Sequence, residues 1–292
     1  MSRKITCTNN RGYTISFTEE AFSPFLLASV DGIYSVTNKV SISENTMTDG
    51  GTYQGSLAKV RNIVLTVMDA PEKVWRMNSR DLLYRLFPKD TLGLFTYEEN
   101  GDKREIKYRV EYVKQGEFKK RLYTISLICE DPYFYGTSDI RVQMASVVDG
   151  FEFPHDFYSW EEISWRSQNR IATFNNENAV DGIGMNISIR AIGNVSNVTV
   201  SHIEKEQHIT IGHSAKPLYL ERGDELLITT STNDKHIYLK RDGVQSEINE
   251  YLTEDSEFIQ LTAGINNIGY SAETGVGNLI LDISYRMKYS GA

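Results

Sequence analysis

Leu279-Ile280-Leu281-Asp282-Ile283-Ser284-Tyr285-Arg286-Met287-Lys288-Tyr289 places an apolar or aromatic residue at every odd position. The even positions are polar or charged, with Ile280 the exception. A period of two held over this whole stretch predicts one long β-strand with a single buried face. Only Ser290, Gly291 and Ala292 follow, so a β domain is expected to close on its last strand. No catalytic motif lies nearby. The pattern points to a protein that builds a surface rather than one that makes or breaks bonds.

Working back from that strand, the second half of the chain reads as almost pure β. Strands are predicted at Ile171–Asn175, Met185–Ala191, Val195–Ser201, His208–Ile211, Leu218–Leu220, Glu225–Thr230, His236–Arg241, Phe258–Leu261 and Asn266–Ser271. Between them fall Arg222-Gly223-Asp224, Arg241-Asp242-Gly243, Ala263-Gly264 and Thr274-Gly275, all turn chemistry. Many short strands with polar turns imply an antiparallel sandwich.

The first half predicts strands with one helix among them. Lys4–Thr8 and Tyr13–Phe17 flank Asn9-Asn10-Arg11-Gly12, a hairpin signal. A strand is expected near Gly32–Ile42, and another at Arg61–Met68 with Ile63, Leu65 and Val67 on one face. The intervening Glu44–Ser56, with Asp49-Gly50-Gly51 and Gly55, has little that packs and reads as a mobile loop or arm. Asp69-Ala70-Pro71-Glu72 opens a helix, and Trp75, Leu82, Leu83, Leu86 and Phe87 recur at helical spacing until Pro88. Gly93–Glu98, Arg104–Val113 and Arg121–Cys129 then read as strands, with Asn100-Gly101 as a hairpin turn. The proline of Asp131-Pro132-Tyr133-Phe134 ends the sheet. The organisation expected is therefore a mainly β chain. An N-terminal, β-sandwich-like domain with one α-helix spans 1–135, a linker 136–145, and a C-terminal sandwich 146–292.

Composition narrows the function. The chain has 292 residues, room for two domains, and is 40% hydrophobic. Its 17 Tyr and 12 Phe suit strands and contact surfaces. The formal net charge of -8 argues against nucleic-acid binding as the primary role, because phosphate contacts need local positive charge. No run approaches the ~18 apolar residues of a membrane span, and Met1–Asn10 lacks the apolar core of a secretion signal. Cys7 and Cys129 are too few for a disulfide framework, and the chain reads as made in a reducing cytosol.

Chemistry-bearing patterns are sparse. There is no Gly-x-Ser-x-Gly elbow, no phosphate-binding glycine loop and no dinucleotide fingerprint. His202 and His208 flank Glu204 and Glu206, but helical metal-ligand spacing is missing, so no metal and no cofactor is expected. Glu161-Glu162 lies between Trp160 and Trp165, which suggests a carboxylate pair on an aromatic platform. Adjacent Glu side chains diverge and fix no carboxylate separation, so a charged turn packed by two Trp is the plainer reading. Trp160 and Trp165 stay as candidate sugar-binding residues of a carbohydrate- or receptor-binding module, the alternative function. Lys119-Lys120-Arg121, the densest basic run, reads as a hairpin turn surface.

The ordered set of landmarks carries a resemblance. Asp49-Gly50 with Tyr53, Arg61-Asn62-Ile63-Val64-Leu65 before the helix, and Asp131-Pro132-Tyr133-Phe134 mark the first half. Gly223-Asp224 before Leu226–Thr230, Tyr251-Leu252, Ser256-Glu257-Phe258, Gly264-Ile265-Asn266 and Tyr285-Arg286 with Tyr289-Ser290-Gly291 mark the second. Together they resemble the distal tail protein (Dit) family of long-tailed phages and prophages. The resemblance implies a non-enzymatic virion structural protein, a homo-oligomer with a hexameric ring built by the N-terminal domain. A galectin-like C-terminal sandwich would project outward. The ring would join the tail tube, with its tape-measure protein, to the tail-tip or tail-associated lysin proteins of the baseplate. Asp49, Gly50, Tyr53 and Arg61 are then the candidate oligomer-interface residues, with the Glu44–Ser56 arm foremost. Such a ring would be assembled in the bacterial host cytoplasm, with no membrane contact and no sequence-specific contact to DNA.

Overall fold

The computed structural model describes residues 3–19, 24–44, 49–69, 79–116, 121–149, 164–168, 170–177, 180 and 182–292. The described contacts divide the chain into two units, Met1–Thr137 with Lys288–Ala292, and Ser138–Met287.

Unit 1 contains β1 (Lys4–Asn9), β2 (Thr14–Thr18), β3 (Phe25–Asp31), β4 (Asn38–Glu44), β5 (Gly51–Ala58) and β6 (Arg61–Asp69). They are followed by α1 (Ser79–Leu86), β7 (Leu92–Glu99), β8 (Asp102–Gln115), β9 (Leu122–Cys129) and β10 (Phe134–Gly136). The strands pair in the order β8-β7-β1-β2-β3-β6-β9, and β9 pairs back onto β8. Seven strands thus close into a barrel, which corrects the expectation of an N-terminal sandwich. The reason lies in β8. Its first half, Asp102–Arg109, pairs with β7, and from Arg109 to Gln115 its other edge pairs with β9. A bulge between Val110 and Tyr112 bends the strand between the two partners. Closure leaves the barrel no open edges, which an open sheet would have to protect.

Alternation in the sequence becomes inside and outside in the barrel. Ile63, Leu65 and Val67 of β6 and Tyr123, Ile125 and Leu127 of β9 are buried, joined by Ile5, Phe17, Phe25, Phe95 and Tyr108. Leu83, Leu86 and Phe87 enter the same core. The Asn9 side chain fastens α1 to β1 by donating from Nδ2 to the carbonyls of Arg85 and Leu86, groups a helix end leaves unpaired. The helix start read at Asp69-Ala70-Pro71-Glu72, and Trp75, lie largely outside the described residues. Gly93 pairs with Tyr108, and a Cβ there would stand 2.2 Å from the tyrosine ring, so glycine leaves the space that the ring fills. At Asn100-Gly101 both φ angles are positive, the backbone a tight β7–β8 hairpin requires.

Unit 2 contains β11 (Ile140–Gln143), β12 (Ala145–Asp149), β13 (Ser164–Gln168), β14 (Ile171–Asn176), β15 (Met185–Ala191), β16 (Val195–His202) and β17 (Gln207–Ile211). The series continues with β18 (Tyr219–Leu220), β19 (Glu225–Ser231), β20 (Asp234–Arg241), β21 (Val244–Glu247), β22 (Gly264–Thr274) and β23 (Leu279–Tyr285). One sheet runs β11-β23-β15-β19-β20-β21, and the other β14-β22-β16-β17 with β18 on β16. Both feed one core. Ile187, Ile189, Leu281 and Ile283 come from the first sheet, and Val198, Val200, Ile209 and Ile268 from the second. That is an antiparallel sandwich. Phe258–Leu261, expected as a strand, forms only an isolated bridge from Leu261 to Ile183.

Two boundaries differ from the expectation. Residues 136–145, read as a linker, carry β11, which pairs with β23 inside the first sheet of unit 2. Four residues are too short for alternation to announce a strand. The eleven-residue strand read at Leu279–Tyr289 is in fact two. After β23 the chain breaks at Arg286 and Met287, and β24 (Lys288–Tyr289) pairs with β10 in unit 1.

Candidate functional site

The Glu44–Ser56 segment, expected as a mobile loop, supplies strand β5 of a two-stranded antiparallel hairpin with β4. Its Gly, Ser and Thr content offers no face to a core, yet backbone pairing does not need one. Lys59 N closes the hairpin base on Thr37 O at 2.8 Å. The register runs from Asn38 opposite Ala58 to Glu44 opposite Gly51, with a shift between Ser41 and Ile42. Asp49 and Gly50 sit exposed just before β5, on the side of the turn that the structure describes.

This hairpin differs from every barrel strand in one respect: all of β4 and nearly all of β5 are exposed. Ile42 faces Tyr53 across the pair and Val40 faces Ser56, so Val40, Ile42 and Tyr53 share a face. They are 53%, 60% and 63% exposed. The Tyr53 hydroxyl donates to Ser56 Oγ at 3.0 Å, holding its ring along that face. Leu57, opposite Lys39, lies on the reverse face. A two-stranded hairpin is marginal in water by itself. Apolar side chains on such a ribbon gain about 1.5–3 kcal/mol each on full burial, which a covering surface would supply.

Arg61 is placed elsewhere. It opens β6, is 5% exposed, and its guanidinium lies 5.0 Å from the Phe134 ring centroid. Nε donates to Pro132 O at 2.6 Å, Nη1 to Gly32 O at 2.7 Å and Nη2 to Ser290 O at 2.6 Å. Burial lowers its pKa, and nearby Cys129, Asp131 and Tyr133 oppose that fall. Its planar fork holds three carbonyls from distant parts of the sequence, a task a lysine ammonium does poorly. Arg61 is thus neither a solvated strand residue nor an accessible contact of this chain. Arg104, which the sequence did not single out, acts beside it. Its Nη1 donates to Gly291 O at 2.7 Å and its guanidinium lies 4.0 Å from the Tyr289 ring centroid. The one sequence signal for this arrangement was Tyr289-Ser290-Gly291, whose backbone these arginines hold.

Trp165 lies in β13 opposite Val148, whereas Trp160, Glu161 and Glu162 lie outside the described residues, as do Lys119 and Lys120. Unit 2 carries a groove of about 430 Å³ lined in part by Tyr219, Arg241, Glu247, Glu250 and Tyr251. Arg241 is already engaged there, bonding the buried Asp224 carboxylate and Tyr219 O. Burial works to raise the Asp224 pKa, but the bonds from Arg241 and from the Glu221 amide prevail and hold it low. His202 is fully buried, its Nε2 2.9 Å from Asn266 Oδ1 and its Nδ1 3.4 Å from Glu204. Among the described residues no group of three or more His, Cys, Asp and Glu is placed to hold a metal ion. Cys7 and Cys129 are both buried and free. Burial pushes both thiols up, Cys129 to about 12. No helix among the described residues is long and apolar enough to cross a membrane.

No protein-family model matches the sequence, and no curated protein does. Solved structures do match. The SPP1 Dit (gp 19.1) protein, described as a paradigm of the hub adsorption apparatus in phages infecting Gram-positive bacteria, is 14% identical. It aligns at a TM-score of 0.65 over 98% of this chain and 99% of that one. A chain of the phage P2 baseplate, in its activated conformation with Ca, is 10% identical with a TM-score of 0.52 over the whole of both chains. The same baseplate with Sr gives 9% identity and 0.50 over 99% of each. At such identities the likeness is one of fold. From one end to the other, this chain has the fold of Dit-like phage tail hub and baseplate proteins.

Proposed function

We propose that this chain is a distal tail protein: a structural, non-enzymatic component of a phage or prophage tail. Copies of it form a ring, expected to be hexameric, that joins the tail tube to the tail-tip or baseplate proteins. Unit 1 builds the ring and unit 2, a galectin-like sandwich, is the outward module. The tape-measure and tail-associated lysin proteins are the other expected neighbours, and the virion tail is the expected location. The observation that carries this reading is the end-to-end fold likeness to a phage hub protein, covering both units at once.

The β4–β5 hairpin supports it from the physics. Val40, Ile42 and Tyr53 form an apolar face on an element that shares no core of its own. A neighbouring copy is the simplest cover, since head-to-tail contacts repeat until the rotation closes. In this reading Asp49, Gly50 and Tyr53 belong to the contact, and Arg61 acts through the segments it clamps. Light scattering on the purified 33.2 kDa chain, alone and with its tail partners, tests the proposal. A discrete multimer is expected. Ile42→Asp and Tyr53→Asp should dissociate it, and a multimer unaffected by either would remove the hairpin from the interface.

A carbohydrate- or receptor-binding module is the second reading, favoured by the unit 2 groove and by Tyr219, which is 65% exposed beside it. A chain that stays monomeric with its tail partners present and binds glycans on an array would favour that reading.

A further inference from the structure

Unit 1 is discontinuous in sequence. The chain leaves it at Thr137 and returns at Lys288, and it does so on paired strands: Phe134 lies opposite Tyr289 and Tyr135 opposite Lys288. Residues 138–287 therefore occupy the place that a short turn holds in an ordinary hairpin. The five returning residues are held at every position. Lys288 Nζ lies 4.0 Å from the Tyr133 ring centroid, and the Arg104 guanidinium lies 4.0 Å from that of Tyr289. Ser290 O accepts from Arg61, Gly291 O accepts from Arg104, and Ala292 N donates to Ile33 O at 2.9 Å. A Cβ on Gly291 would stand 2.0 Å from Tyr34 O, so the segment lies flush against the 33–34 backbone. Arg61 ties this segment to Gly32 and Pro132 with one guanidinium.

We propose that Lys288–Ala292 is a latch that completes unit 1, with Arg61 as its keeper, and that releasing it loosens residues 31–34 and 131–136 while unit 2 keeps its fold. The loosened stretches are those whose carbonyls Arg61 holds and whose strand, β10, loses β24 as a partner. Loss of a charged, three-way donor leaves several backbone acceptors unpaired at once. Unit 2 keeps both its sheets and its own core, none of which includes residues 288–292.

Amide hydrogen exchange on the full chain tests this. In Arg61→Ala, and in a chain ending at Met287, amides of 32–34 and 133–136 should exchange at least about tenfold faster. Those of β15 and β19 in unit 2 should not change. Combining the two changes should add little, because both remove the same lock. Arg61→Lys should behave like Arg61→Ala, since charge alone cannot span three carbonyls. If the shortened chain fails to fold, Gly291→Ala displaces the segment without touching either arginine and should give the same pattern at smaller amplitude. Unaltered exchange in unit 1, or acceleration spread evenly over both units, overturns the proposal. The outcome does not depend on ring formation, so it stands or falls separately from the tail reading.

Discussion

Two antiparallel ladders of unit 1 have nearly the same sequence code and opposite fates. In β6–β9, Ile63, Leu65 and Val67 alternate with polar or half-exposed neighbours and are fully buried. In β4–β5, Val40 and Ile42 alternate with Lys39, Ser41 and Ser43, and face solvent. Alternation specifies that one face of a strand is apolar; it does not specify which molecule covers it. The barrel covers β6 with its own aromatic interior. Nothing in the described part of this chain buries the hairpin, and that difference sets an uncovered apolar face apart from a folding core.

The contrast can be broken experimentally, first where the effect is largest. Leu65→Ala should destabilise unit 1 by about 2–5 kcal/mol, because a fully buried leucine leaves a cavity in a closed barrel. Chemical denaturation followed by tyrosine fluorescence would measure it, and a loss below ~1 kcal/mol would mean that the barrel interior is not the packed core described. The next effect comes from the two thiols. Burial favours their protonated form in the folded state, so the folded pKa lies above the unfolded value. The stability this gives is fully present below the unfolded thiol pKa of ~8.5 and is lost as pH rises toward the folded values. Unit 1 should therefore weaken as pH rises above the unfolded thiol value of ~8.5. Cys129→Ala should flatten that slope in denaturant titrations at successive pH values. Thiol reagents at pH 7 should label both cysteines only on unfolding; rapid labelling of the native chain would contradict a buried pair.

The smallest effect on folding belongs to the hairpin. Ile42→Ser and Tyr53→Ser should change the stability of the monomer by no more than ~0.5 kcal/mol, since neither side chain is buried in it. In the proposed ring the same substitutions should raise the concentration at which the copies dissociate by tenfold or more, read by light scattering over a dilution series. A large loss of monomer stability from either would show that the hairpin packs on its own chain, erasing the distinction from β6.

Legibility in the sequence followed the range of the interaction. The β6 alternation, the Asn100-Gly101 hairpin and most of the unit 2 strands were readable because a strand's face and a turn's backbone are fixed within a few residues. Barrel closure was not, because it depends on β8 using both edges along its length, and pairing to β9 carries no local mark. The single strand expected at Leu279–Tyr289 kept its alternation through Arg286 and Met287, so the period gave no sign that the chain changes units there. Arg61 was legible as a notable position but not in its role. Its acceptors at Gly32, Pro132 and Ser290 are brought together only by the completed fold. For the candidate site, the sequence singled out Glu44–Ser56 but misjudged its state, since ladder bonds between backbones are indifferent to Gly, Ser and Thr side chains.

The departure of the chain at β10 and its return at β24 have a mechanical consequence. A pull applied anywhere within residues 138–287 reaches the barrel through two tethers anchored side by side, rather than through one. Severing either tether would leave the halves joined by the other, so a chain built this way tolerates a single break under load.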